Sequence, residues 1–168
     1  MDDVAPSQHV LVVDDEENMR HMLSVLLTEE GYQVVTAANG QEAINLLKSR
    51  SFNFILCDIR MPTMDGLTFL EAAQSLEHGA TVIMMSAFGT VDLAIEAMKA
   101  GAYDFISKPF QEPEVLVRVR THIDLRNAKL HLEELVAERT AKLARSEAKY
   151  RGLVNNSIVG VFASTIDG

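Results

Sequence analysis

The sequence predicts an α/β fold: five parallel strands in a doubly wound sheet with helices on both faces. Three observations carry that expectation. Short apolar runs such as Leu11-Val12-Val13, Phe54-Ile55-Leu56-Cys57 and Val82-Ile83-Met84-Met85 lack polar alternation, as strands buried on both faces do. Stretches with apolar residues at helical spacing lie between them, so strand and helix alternate along the chain. Each run also ends on polar residues, at the end of the strand where open α/β sheets carry their sites.

Taken in order, the first strand is expected over 9–13. A helix over 16–30 follows, with Met19, Met22, Leu23, Leu26 and Leu27 on one face and Gly31 closing it. The β-branched stretch 32–36 reads as the second strand, and Asn39-Gly40 as a turn. Residues 41–49 put Ala43, Ile44, Leu46 and Leu47 on one helical face, ahead of the strand that ends at Asp58. Pro62 and Gly66 then break the chain into a loop, followed by a helix over about 67–76 and a strand over 81–85. Thr90 can cap a helix that runs through Met98 and that Gly101 closes. The fifth strand covers 103–106, and Pro113 suits the first turn of a fifth helix.

That helix does not stop where the α/β unit is complete, at about residue 122. From Pro113 to about Tyr150 neither Pro nor Gly interrupts the pattern, a length on the order of 55 Å at about 1.5 Å per residue. Leu125, Lys129, Leu132, Val136, Arg139, Leu143, Ser146, Tyr150 and Leu153 form a heptad seam with six apolar or aromatic members among its nine. Such a stripe predicts a parallel two-stranded coiled coil, and hence a homodimer through residues 120–150. Beyond Gly152, residues 158–163 read as a strand and Asp167-Gly168 as a turn, which suggests the start of a further domain.

The 168 residues leave room for one ordinary domain and something extra. A hydrophobic share of 48% supplies a core, yet no apolar run approaches the roughly 20 residues of a membrane helix. Neither a membrane nor export is therefore expected, and the cytoplasm is the expected location. A single cysteine, Cys57, excludes an internal disulfide and fits a reducing compartment. Beside Asp58 its thiolate would be disfavoured, so it reads as a small core filler. Residues 1–110 hold 16 acids against 6 bases, whereas residues 111–150 hold 7 against 8. An acidic front argues against direct nucleic-acid binding and is compatible with a cation site or basic protein partners.

If the strand ends share one rim, Asp14, Asp15, Asp58, Ser86 and Lys108 converge there. A lone Asp at a strand end is often only a loop cap, but three carboxylates together repel. Two unit charges about 4 Å apart cost roughly 4 kcal/mol at an effective dielectric near 20. Such a cluster suits a hard cation held by oxygen, and Mg²⁺ fits a site with few protein ligands that keeps waters. A carboxylate beside that ion can attack phosphorus, with an ammonium and a hydroxyl to receive the phosphoryl charge. The five histidines are scattered and lack metal-ligand spacing.

Asp14-Asp15, Asp58, Ser86 and Lys108-Pro109, each closing its own strand, resemble the receiver domain of two-component response regulators. The resemblance covers about residues 8–122 and implies a flavodoxin-like fold. It implies that Asp58 accepts a phosphoryl group from a histidine kinase or phosphotransfer protein. It also implies that Asp15, Asp58 and the backbone carbonyl of Arg60 ligate Mg²⁺, with Asp14 acting partly through water. Ser86 would bond a phosphoryl oxygen, Lys108 would pair with the phosphate, and the peptide before Pro109 would be cis. Phe105 stands at the family's aromatic switch position, where many members carry Tyr. Arg60 and Phe88, each two residues past a site residue, stand where the family tunes acyl-phosphate lifetime.

Residues 146–162 are similar to the entry of a PAS sensor domain. The expected organisation is thus a receiver over 1–122, a helical coiled-coil linker over 123–150 and a truncated PAS-like start over 151–168. Two other readings compete with the switch. A pseudo-receiver would be an unphosphorylated scaffold, although no acidic or lysine position is lost. A phosphatase using an aspartyl nucleophile would need Asp-x-Asp after the first strand and a cap insertion, and neither is present.

Overall fold

A computed structural model describes residues 8–76 and 78–163, with side chains to Gly152. Its elements in chain order are β1 (His9–Val13), α1 (Glu17–Glu29), β2 (Gln33–Ala37), α2 (Gly40–Ser49), β3 (Phe54–Asp58), α3 (Gly66–Gln74), β4 (Thr81–Ser86), α4 (Val91–Lys99), β5 (Asp104–Ser107) and α5 (Glu112–Ala163). The strands form one sheet in the order β2-β1-β3-β4-β5, every pair parallel. This is the expected five-stranded doubly wound fold followed by a long C-terminal helix.

Side-chain alternation along the strands sorts the core into two layers. Leu11, Val13, Ile55, Cys57, Val82 and Met84 point to one side and meet Ala43 and Ile44 of α2, Phe69 and Leu70 of α3, and Ala97 of α4. Val10, Val12, Phe54, Leu56, Ile83, Met85 and Ile106 point to the other, against Leu23 and Leu27 of α1 and Val115, Val119 and Ile123 of α5. β3 and β4 are buried along their whole length, which is why their sequences read as unbroken apolar runs.

Two local expectations need correction. Asn39-Gly40 is a helix start rather than a turn: the Asn39 side chain accepts the Glu42 amide at 2.9 Å, and Glu42 in return accepts the Ala38 amide at 2.7 Å. The strand expected over 158–163 is instead helical, since α5 runs as a single helix of 52 residues to Ala163. A short apolar run is ambiguous between helix and strand, and here the helical stretch before it continues. The turn expected at Asp167-Gly168 lies outside the described residues.

The chain divides into two compact units, at Ile123 and Asp124. The first carries the sheet and its core. In the second, every residue from 124 to 152 is exposed except the half-buried Arg126. No described helix is long and apolar enough to cross a membrane.

Candidate functional site

The strand register places the polar strand ends side by side. Val13 lies opposite Cys57 and Asp58 opposite Met85, so Asp14, Asp58 and Ser86 open onto one rim. Ser107 pairs with Ser86, and the Lys108 amide donates to the Ser86 carbonyl at 2.7 Å, which brings Lys108 to the same rim. The Lys108-Pro109 peptide is cis.

The Lys108 ammonium lies 2.6 Å from Asp14 Oδ2 and 2.8 Å from Asp58 Oδ1, so one cation bridges two carboxylates. The other oxygens are also engaged: Asp14 Oδ1 accepts the Glu16 amide and Asp58 Oδ2 the Arg60 amide, both at 3.0 Å. Asp14 and Asp58 are buried, whereas Asp15 is exposed. Carboxylate oxygens of Asp14, Asp15 and Asp58 lie within 4.8 Å of one another.

Burial pushes the Asp58 carboxyl above its usual range, with the Lys108 bond opposing that rise only in part. Burial alone would lower the Lys108 ammonium, but its bonds to Asp14 and Asp58 overcome it, so Lys108 is raised and stays charged. Burial, then the neighbouring Asp58, push the Cys57 thiol well up, consistent with an inert core thiol.

Three carboxylates and one ammonium leave the rim with a residual charge of −2, the charge one divalent ion would neutralise. An ionised carboxylate can accept about four hydrogen bonds, so one engaged partner per oxygen leaves room for a cation. All-oxygen donors suit Mg²⁺, and the residues present therefore fit that ion.

The loop after β3 is fixed tightly. Ile59 and Met61 are buried, the Ile59 amide donates to the Met85 carbonyl at 2.9 Å, and the Gly66 amide returns to the Ile59 carbonyl at 2.8 Å. A Cβ on Gly66 would overlap the Asp58 carbonyl oxygen, so only glycine lets α3 start this close to the rim. Thr63 holds φ at 70°, a strained conformation for a β-branched residue.

On the neighbouring strand, the buried Ser86 hydroxyl accepts the Phe88 amide at 3.2 Å, leaving its own proton to donate. Phe105 is half-buried against the layer formed with α2, α3 and α4. A Cβ on Gly89, in the loop that follows Ser86, would lie 3.3 Å from its ring.

Three features of this region were not read from the sequence. The Arg60 guanidinium stacks over Phe88, 4.5 Å from the ring centroid. The sequence marks each residue separately, and the β3–β4 register is what makes them neighbours. Arg20 donates to the backbone carbonyls of Asp14 and Asp15. Away from the rim, Asp104 Oδ2 lies 2.6 Å from Arg118 Nη1 and 3.0 Å from His122 Nε2, tying the start of β5 to α5. The bonds of His122 and Arg118 to Asp104 outweigh its burial and hold its carboxyl below the usual range.

A family model described as the response regulator receiver domain matches residues 10–120. The chain is 41% identical to the chemotaxis protein CheY of Bacillus subtilis, over 66% of this chain and 92% of that protein. It is 37% identical to the regulatory protein AtoC of Escherichia coli over 75% of this chain, but spans only 27% of that protein. Among solved structures, a CheY-like receiver domain protein from Methanospirillum hungatei matches with a TM-score of 0.71 and 28% identity, over 74% of this chain and 99% of that one. A chain of the CheX-CheY-BeF3-Mg+2 complex from Borrelia burgdorferi matches with a TM-score of 0.65 and 37% identity, over 68% of this chain and 87% of that one.

Proposed function

Because the chain belongs to the response regulator receiver family, whose members are phospho-acceptor switches rather than turnover enzymes, we propose that Asp58 accepts a phosphoryl group from a histidine kinase or phosphotransfer protein. One observation carries the reading: the Asp58 carboxylate is bridged to Asp14 by Lys108, and carboxylate oxygens of Asp14, Asp15 and Asp58 lie within 4.8 Å of one another.

In the step itself, a carboxylate oxygen of Asp58 forms a bond to phosphorus as the donor's bond to phosphorus breaks. For a phosphohistidine, the leaving imidazole nitrogen keeps that electron pair. Asp14, Asp15, Asp58 and the Arg60 carbonyl would hold Mg²⁺, which when bound neutralises charge on the phosphoryl oxygens. Lys108 supplies a cation already touching Asp58, and its raised pKa keeps it protonated as charge arrives. Ser86 can give its hydroxyl proton to a phosphoryl oxygen, since its own acceptor role is met by Phe88. Arg60 and Phe88, stacked together two residues past Asp58 and Ser86, would limit water's approach to the acyl phosphate.

An aspartyl phosphate carries close to two negative charges where the free carboxylate carried one, a change able to bias two packings that differ by a few kcal/mol. Movement of Ser86 towards it would free space for the Phe105 ring. Both lie on strands next to one another, and β5 is tied to α5 through Asp104. The signal would then pass along α5, whose residues 120–150 pair two copies as a coiled coil, to a further domain, PAS-like from its sequence. With Mg²⁺ and a small phosphodonor, the wild-type chain should take up one phosphoryl group and Asp58→Asn none. Undiminished labelling of Asp58→Asn would rule the assignment out.

A further inference from the structure

We propose that Arg20 is a positioning residue for the acidic pair, fixing the turn that delivers the Asp15 carboxylate to the cation; this rests on the reading of the rim given above. Arg20 lies on α1, and its Nη1 donates to the carbonyl oxygens of Asp14 at 2.8 Å and Asp15 at 3.0 Å. Its own amide donates to the Glu16 carbonyl at 3.1 Å. One residue therefore holds three consecutive carbonyls, those linking the end of β1 to the start of α1.

The two aspartates depend on this brace unequally. The Asp14 carboxylate is fixed on its own account by the Glu16 amide and by Lys108. The Asp15 carboxylate is exposed and makes no hydrogen bond or ion pair among the described residues. Its direction is set by the backbone beneath it, and the Asp15 carbonyl is held by Arg20. Without the guanidinium, the turn loses two charge-assisted hydrogen bonds, and Asp15 is free to leave the cluster.

The choice of acceptor matters as much as the geometry. Arg20 binds carbonyls rather than carboxylates, so no ligand oxygen of Asp15 is consumed. A guanidinium that merely sat nearby would repel an incoming cation, and deleting it would tighten cation binding. A guanidinium that positions the turn has the opposite effect on deletion, because the cost of ordering Asp15 then falls on the binding step. The two roles predict opposite signs.

Calorimetric titration of Mg²⁺ into the full chain, without phosphodonor, separates them. Arg20→Met removes both the charge and the donors while keeping the apolar stem, and should weaken Mg²⁺ binding about tenfold. Thermal melting in chelator checks that the variant is folded. Arg20→Lys keeps the charge but loses the planar fork, and should show a smaller loss in the same direction. Mg²⁺ binding by Arg20→Met equal to or tighter than wild type overturns the proposal. Should that variant fail to fold, Arg20→Lys binding as tightly as wild type overturns it instead. A wild-type chain that binds no Mg²⁺ defeats the functional reading itself, which is a different outcome.

Discussion

One helix, α5, has two parts built on different terms. Its first dozen residues bury Val115 and Val119 completely and Ile123 almost so, and the structure completes one layer of the core with them. From residue 124 to 152 the same kind of apolar residue stays in solvent: Leu125 is 55% exposed, Val136 64% and Tyr150 67%. Fully burying such a side chain is worth roughly 1.5–3 kcal/mol, so the first part is stable within its own unit. Among its described residues the second holds exposed pairs such as Lys142–Glu138 at 2.6 Å, each worth about 0.3–0.5 kcal/mol. On the proposed reading, a second copy of the chain covers this seam.

The sharpest way to break this contrast is to place the same charge in both parts. Val119→Asp buries an unpaired carboxylate and should cost at least about 3 kcal/mol in denaturant titration of the chain. Val136→Asp should change the stability of the first unit by less than about 0.5 kcal/mol, yet shift the chain from dimer to monomer in light scattering. Equal destabilisation by the two, or a Val136→Asp dimer as tight as wild type, would remove the distinction.

A smaller effect lies where β5 meets α5. Asp104→Asn gives up the charge that Arg118 and His122 share, and should cost about 1–2 kcal/mol after allowance for partial exposure. The pH dependence has a definite sign. The folded carboxyl of Asp104 lies below its unfolded value, so its contribution is complete above the unfolded pKa and disappears as pH falls through the folded one. The stability difference between wild type and Asp104→Asn should therefore shrink on acidification through that window. A difference that grows there would show that Asp104 is not held as an anion. The least change is expected from Glu138→Ala, which breaks the exposed pair with Lys142 and should leave the melt of the first unit unmoved.

The sheet and the acidic rim were legible because buried parallel strands leave unbroken apolar runs, and because polar residues at their ends mark the edge where sites form. Asp14, Asp15, Asp58, Ser86 and Lys108 could thus be brought together from strand order alone. Arg20 could not, since a side chain bonding to backbone carbonyls leaves no compositional trace. The Arg60–Phe88 stack needed the β3–β4 register, and the Asp104–Arg118–His122 cluster needed the packing of α5. Residues 158–163 suit a strand by composition, through Ile, Val and Phe, yet the uninterrupted helix before them carries the chain on.

On the proposed reading Asp58, and neither Asp14 nor Asp15, receives the phosphoryl group. After incubation with a small phosphodonor and Mg²⁺, reduction of the acyl phosphate with borohydride converts an aspartate so modified to homoserine. Peptide mass spectrometry should find homoserine at position 58, and chelation of the metal should abolish it. Homoserine at position 14 or 15, or at position 58 with equal yield in chelator, would contradict the account.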